Sequence, residues 1–117
     1  MLRAAILLIE DNALIRMMIA GMVEELGHRV VAQTGKVDEA RQLAETAEFD
    51  IALLDINLDG ESIAPVAEII EKRGLPFLFV TAYDTSGLPE RLRGKRLLSK
   101  PFEASKLGAF IEEMLGS

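Results

Sequence analysis

Cysteine is missing from this 117-residue chain, and histidine occurs once. With no cysteine there is no disulfide framework and no thiolate metal site, a usage that suits a reducing compartment. The single histidine, His28, falls between a helical and a strand-like stretch, away from the acidic residues, and reads as a surface residue rather than a catalytic one. Positive charge is also short. Thirteen Lys and Arg against 19 Asp and Glu leave a net charge of −6, which makes the chain a poor electrostatic partner for nucleic acid. No apolar run approaches the ~18 residues of a membrane span. The N-terminus lacks a signal-peptide pattern, because a strand-like run follows Arg3 at once. Internal repeats, low-complexity stretches and linkers are absent too. These absences predict a soluble cytoplasmic protein that acts neither on nucleic acid nor in a membrane.

What is present is an apolar half, 50% of the residues, enough for the core of one domain spanning 1–117. Ile51-Ala52-Leu53-Leu54 runs straight into Asp55, and a polar turn containing Gly60 follows. Such an unbroken run reads as a central strand buried on both faces. Ala4 to Ile9 is a similar run that ends in Glu10-Asp11-Asn12. A helix is predicted next from Leu14, Ile15, Met18, Ile19, Met22, Val23 and Leu26, with Asp11 or Asn12 as N-cap, Gly27 as C-terminal cap and Met17 outside the stripe. Arg29 to Gln33 reads as a less apolar strand near an edge. Val37, Ala40, Leu43, Ala44 and Ala47 mark the second helix. Ile63, Val66, Ala67 and Ile70 mark the third, with Pro65 in its first turn. Residues 76–80 form a fourth strand ending at Thr81. A short or irregular fourth helix is expected over 84–95, broken by Gly87, Pro89 and Gly94. Residues 96–99 form a fifth strand ending at Lys100, and Leu107, Phe110, Ile111, Met114 and Leu115 a fifth helix. Five strands alternating with five helices predict an α/β fold, a doubly wound parallel sheet of flavodoxin-like order 2-1-3-4-5.

That order brings the carboxyl ends of strands one, three, four and five side by side, where open α/β sheets collect ligands. Glu10, Asp11, Asp55, Asn57, Thr81 and Lys100 would meet there. Each has a structural role open to it: acids at a helix N-terminus, a β-branched strand residue, a solvated lysine, turn chemistry around Asn57 and Asp59. Their coincidence at four adjacent strand ends argues for a site. Three packed carboxylates do not all ionise cheaply unless a cation joins them, and hard oxygens select Mg²⁺. Asp55, kept ionised, is then a competent nucleophile toward phosphorus. Lys100 would offset charge on a transferring phosphoryl group, and Thr81 would donate its hydroxyl to it.

The acid pair Glu10-Asp11, Asp55, Thr81-Ala82 and Lys100-Pro101-Phe102, in this order, resemble the motifs of a response-regulator receiver domain of the chemotaxis-regulator type. The resemblance covers essentially the whole chain. It implies that Asp55 is the phosphoacceptor and that Asp11, Asp55 and the backbone carbonyl of Asn57 bind Mg²⁺ directly, with Glu10 acting through water. It implies that Thr81 and Lys100 grip the phosphoryl group, that a cis peptide precedes Pro101, and that Asn57 and Tyr83 tune phosphoryl hydrolysis. Its implied partners are a histidine kinase or phosphotransfer protein as donor and a protein bound at the face of helix four, strand five and helix five. Two departures stand out. Leu97 occupies the position of the usual strand-five Tyr or Phe, and Leu58-Asp59-Gly60 replaces a Met-Pro turn. With the run from Pro76 to Tyr83, they make the chain similar to a divergent group of stand-alone alphaproteobacterial receivers.

Two other readings compete with a signalling domain that catalyses only its own phosphorylation and dephosphorylation. Asp55-Ile56-Asn57 resembles the Asp-x-Asp start of haloacid-dehalogenase-like Mg²⁺ phosphatases, although those carry the motif on the first strand and need a longer chain with a cap. A pseudo-receiver would keep the fold as an interaction domain without phosphorylation.

Overall fold

The computed structural model describes residues 3–82 and 88–116. The first strand, β1 (Ala5–Ile9), is buried along its whole length, as an apolar run with no polar alternation must be. Helix α1 (Ala13–Glu25) starts at Asn12, whose side chain accepts from the Ile15 amide at 3.0 Å. Asn12 therefore takes the cap, and Asp11 stays free for other work. The helix ends in a Schellman turn: Gly27 adopts φ +90°, its amide reaches Glu24 O, and the His28 amide reaches Val23 O.

Next come β2 (Arg29–Thr34), α2 (Val37–Thr46) and the central β3 (Ile51–Leu54). A two-stranded hairpin follows, β4 (Asn57–Leu58) and β5 (Glu61–Ser62). Its turn residues Asp59 and Gly60 have φ of 51° and 86°. Two positive φ values in a two-residue loop are the signature of an Asp-Gly type I′ turn. Helix α3 (Ala64–Lys72), β6 (Phe77–Thr81), β7 (Leu97–Ser99) and α4 (Ala104–Gly116) complete the chain.

The main sheet has the order β2-β1-β3-β6-β7, and every pairing is parallel. This is the expected flavodoxin-like arrangement. Strand residues alternate between two cores. Leu7, Ile9, Ala52, Leu54, Phe77 and Phe79 face α2 and α3. Ile6, Leu8, Ile51, Leu53, Leu78 and Val80 face α1 and α4. The pairing of β1 with β2 slips between Ile6 and Leu7, whose partners are Val30 and Ala32. Val31 is left as an extra, exposed residue, a β-bulge on the edge strand.

Three expectations need correction. The described residues hold four α-helices rather than five. Where the fourth was expected, residues 88–95 carry only a 3-10 turn, Glu90–Leu92. Pro89 and Gly94 explain the shortfall, since neither extends a helix. The start of that expected helix and Tyr83 lie outside the described residues. Leu14 and Met18 are exposed beside Met17, at 65%, 54% and 66%. The buried arc of α1 centres on Ile19 and Val23, so the apolar stripe is wider than the face the sheet covers. His28 is buried, not on the surface: its Nδ1 accepts the Ala4 amide at 2.9 Å and fixes the start of β1.

Candidate functional site

Three of the site residues are the first residue past a strand, and each keeps the sheet ladder going by one step. The Glu10 amide donates to Thr34 O at 3.0 Å, the Asp55 amide to Ile9 O at 3.0 Å, and the Lys100 amide to Thr81 O at 2.8 Å. Ladder hydrogen bonds set the direction in which the chain leaves each strand. Glu10, Asp11, Asp55, Asn57 and Lys100 line one open cleft of about 920 Å³. Thr81 lies fully buried at the end of β6, and Ala82 after it reaches the cleft wall.

The charges interlock. Lys100 Nζ lies 2.5 Å from Glu10 Oε1 and 3.3 Å from Asp55 Oδ2. The Lys100 side chain is 12% exposed, that of Glu10 2% and that of Asp55 8%, so solvent screens these pairs weakly. Burial pushes the Glu10 carboxyl up to about 7, and the Asp55 charge adds to it, while Lys100 and the Asn12 amide pull the other way. Burial works against the Lys100 charge as well, but the hydrogen bond to Glu10 and the charge of Asp55 leave its ammonium above the ordinary lysine value. Asp11 Oδ2 accepts the Asp59 amide at 2.8 Å, and Asn57 Oδ1 accepts the Gly60 amide at 2.8 Å. The type I′ turn thus closes over Asp11 and shapes the cleft rim.

Glu10, Asp11 and Asp55 each present a carboxylate oxygen, and the three atoms lie within 4.8 Å of one another. Three hard oxygen donors beside an open cleft fit Mg²⁺, which binds through few carboxylates and keeps several waters. The Lys100–Pro101 peptide is cis, as the resemblance implied. Leu97 packs against the α2/α3 core instead of offering a polar aromatic. Sequence reasoning gave Asp59 only a turn role and passed over Arg16 and Gly35; all three also line the cleft. The Asp-Gly pair was a signal for the first. Arg16, one turn into α1, and Gly35, just past β2, were legible only as positions beside the acid pair.

Residues 6–112 match the family described as the response regulator receiver domain. The chain belongs to that family. It is 37% identical over 111 residues to the transcriptional regulatory protein PdtaR of Mycobacterium tuberculosis, covering 92% of this chain and 54% of PdtaR. It superposes on the response regulator PhyR from Brucella abortus with a TM-score of 0.83 at 38% identity, covering 97% of this chain and 48% of PhyR. SdrG from Sphingomonas melonis Fr1 gives 0.83 at 34% identity, with 95% of both chains covered. The chain therefore spans about half the length of the first two, and nearly all of SdrG. The receiver domain of the sensor histidine kinase PA1611 from Pseudomonas aeruginosa PAO1, with a magnesium ion coordinated in its active site cleft, gives 0.82 at 26% identity, covering 99% of this chain and 100% of that one. The likeness to PhyR agrees with the resemblance to a divergent alphaproteobacterial group of receivers. Membership of a two-component signalling family, with Asp55 just past the third strand rather than the first, disfavours the phosphatase reading.

Proposed function

We propose that residues 1–117 act as one phosphoacceptor receiver domain in the cytoplasm, with Asp55 as the acceptor. The observation that carries the reading is the contact of Lys100 with both Glu10 and Asp55 at the edge where three carboxylates converge. A histidine kinase or phosphotransfer protein would present a phosphohistidine. An Asp55 carboxylate oxygen attacks phosphorus, the new P–O bond forms as the P–N bond breaks, and the departing imidazole takes a proton from water. Lys100 turns from the carboxylates to a phosphoryl oxygen, and the Thr81 hydroxyl donates to another. Asp11, Asp55 and the Asn57 carbonyl would hold Mg²⁺, with Glu10 reaching it through water. When bound, the ion offsets negative charge on the transferring phosphoryl group. On this reading Asn57 and Tyr83 occupy the two positions that tune hydrolysis of the phosphoryl group.

The output, on this reading, is a changed surface for a protein partner: residues 88–95, β7 and α4. With Leu97 in the aromatic position, the bias passes from Thr81 into the following connection rather than through a rotating ring. Incubation with acetyl phosphate and Mg²⁺ should add one phosphoryl group by intact mass, and Asp55→Asn should abolish it. An equal adduct on the variant would sink the assignment. No adduct on either chain would leave the pseudo-receiver, and phosphate release without an adduct the phosphatase.

A further inference from the structure

The carboxylates of the cleft need a backbone that holds still, and the peptide joining Glu10 to Asp11 is gripped from three sides. Its strand side is tied by the Glu10 amide to Thr34 O at 3.0 Å. Its carbonyl, Glu10 O, accepts Arg16 Nη1 at 2.7 Å. That guanidinium comes from the second turn of α1 and, among the described residues, makes no ion pair with a carboxylate although it lines an acidic cleft. The third contact is Gly35. A Cβ built there would lie 2.9 Å from Arg16 Nη1, 2.9 Å from the Asp11 Cα and 3.0 Å from Glu10 O. Gly35 has no positive φ, so its backbone does not require glycine. Space requires it, because two of the three obstructing atoms belong to the backbone of the acid pair.

We propose that Gly35 and Arg16 form a positioning pair for the acidic cluster: Gly35 lets the β2–α2 turn close onto the acid pair, and Arg16 pins its carbonyl. This rests on the reading of Glu10, Asp11 and Asp55 as the Mg²⁺ site. Neither residue touches the ion. They fix the peptide from which both Glu10 and Asp11 project, so displacing it moves two donors at once. A Cβ at position 35 displaces Asp11 or the guanidinium, and either shift opens the cluster. Partners that orient metal ligands in this way commonly control affinity by about 10- to 100-fold.

The test uses the chain as it is, with Mg²⁺ alone as ligand and isothermal titration calorimetry as readout. Gly35→Ala and Arg16→Met should each weaken Mg²⁺ binding about tenfold or more. Arg16→Lys, which keeps a donor, should recover part of the loss. Gly21→Ala is the control, since a Cβ there meets nothing within 4 Å, and its Mg²⁺ affinity should equal that of the parent. A readout without metal accompanies these: the Asp11 and Asn12 amide resonances should shift in Gly35→Ala and Arg16→Met and stay put in Gly21→Ala. Should Gly35→Ala fail to fold, the Arg16 variants carry the test. Variants that lose thermal stability but bind Mg²⁺ within twofold of the parent would overturn the proposal, because a merely structural role predicts that result. A parent chain that binds no Mg²⁺ would overturn the metal site itself and this inference with it.

Discussion

The two flanks of the cleft are built to different standards. On the acid flank, Glu10, Asp11 and Asp55 leave strands buried on both faces; the carbonyls of Thr34 and Ile9 accept from the Glu10 and Asp55 amides, and Arg16 and the Asp59 amide donate to Glu10 O and Asp11 Oδ2. On the opposite flank, Thr81 leads into a connection whose described part, 88–95, holds one 3-10 turn, and Lys100 follows a strand of only three residues. Two buried leucines, Leu88 and Leu92, anchor that segment to the α2/α3 core. Its other ties to α3 are ion pairs of Arg91 with Glu68 and of Lys95 with Glu71, all four side chains 36–62% exposed. Pairs of that kind contribute roughly 0–1 kcal/mol each. The comparison teaches where rigidity is placed. A metal site gains from donors held in advance, whereas a switch needs an element whose alternatives lie close in free energy.

The largest effect should come from breaking the rigid flank. Asp11→Ala should remove most of the rise in melting temperature that Mg²⁺ gives the parent by linkage. Without metal, the loss of repulsion among three carboxylates and the loss of the hydrogen bond to the Asp59 amide oppose each other. The second is worth about 0.5–1.5 kcal/mol, so the metal-free melting temperature should move little. A variant with the full Mg²⁺ response would put the ion elsewhere.

The next test sharpens the contrast by watching both flanks at once. Amide exchange with and without a phosphoryl mimic and Mg²⁺ should change most in the β6–β7 connection through Lys95, and little in α1, α2 and α3. A change centred on α1 or α2 would reverse the assignment of output face.

The smallest effect is a pH slope set by Glu10. Its carboxyl is raised from 4.5 to about 7, so the folded chain keeps a proton that the unfolded chain has already released. That contribution to stability is full below pH 4.5 and is lost as the pH rises through about 7. Mg²⁺ has to displace the same proton, so its affinity should rise over the same window. Thermal melts in this range without metal, and calorimetry in buffers of different ionisation enthalpy with it, measure the two slopes. Melting temperatures that rise steadily from pH 4.5 to 7 without metal would contradict the buried, protonated state of Glu10.

Sequence reading reached the rigid flank more fully than the other, for a physical reason. Strand runs such as 51–54 are apolar without interruption, so their burial and the position of Asp55 follow from residue type alone. The contact of Lys100 with Glu10 was not legible, because it joins residues 90 apart through a side chain whose direction periodicity does not set. Nor was the burial of His28, which depends on one backbone amide, that of Ala4, needing an acceptor. The fourth helix was expected to be short or irregular, and the described residues there keep only a 3-10 turn because Pro89 and Gly94 bracket too few residues to close a second turn. The apolar stripe of α1 is wider than the arc the sheet covers, which leaves Leu14 and Met18 in water beside Met17, the residue expected outside it.

The extra residue at Val31 has a consequence for how the molecule behaves in a crowd. A parallel sheet ends in two strands with unpaired backbone groups, and a flat one invites another chain to add itself. Here the β2 edge is kinked by the bulge, with Arg29 and Gln33 exposed on either side of Val31, and the β7 edge is only three residues long. A register slip with exposed polar residues on one edge and a very short strand on the other both blunt the sheet against the addition of a sixth strand.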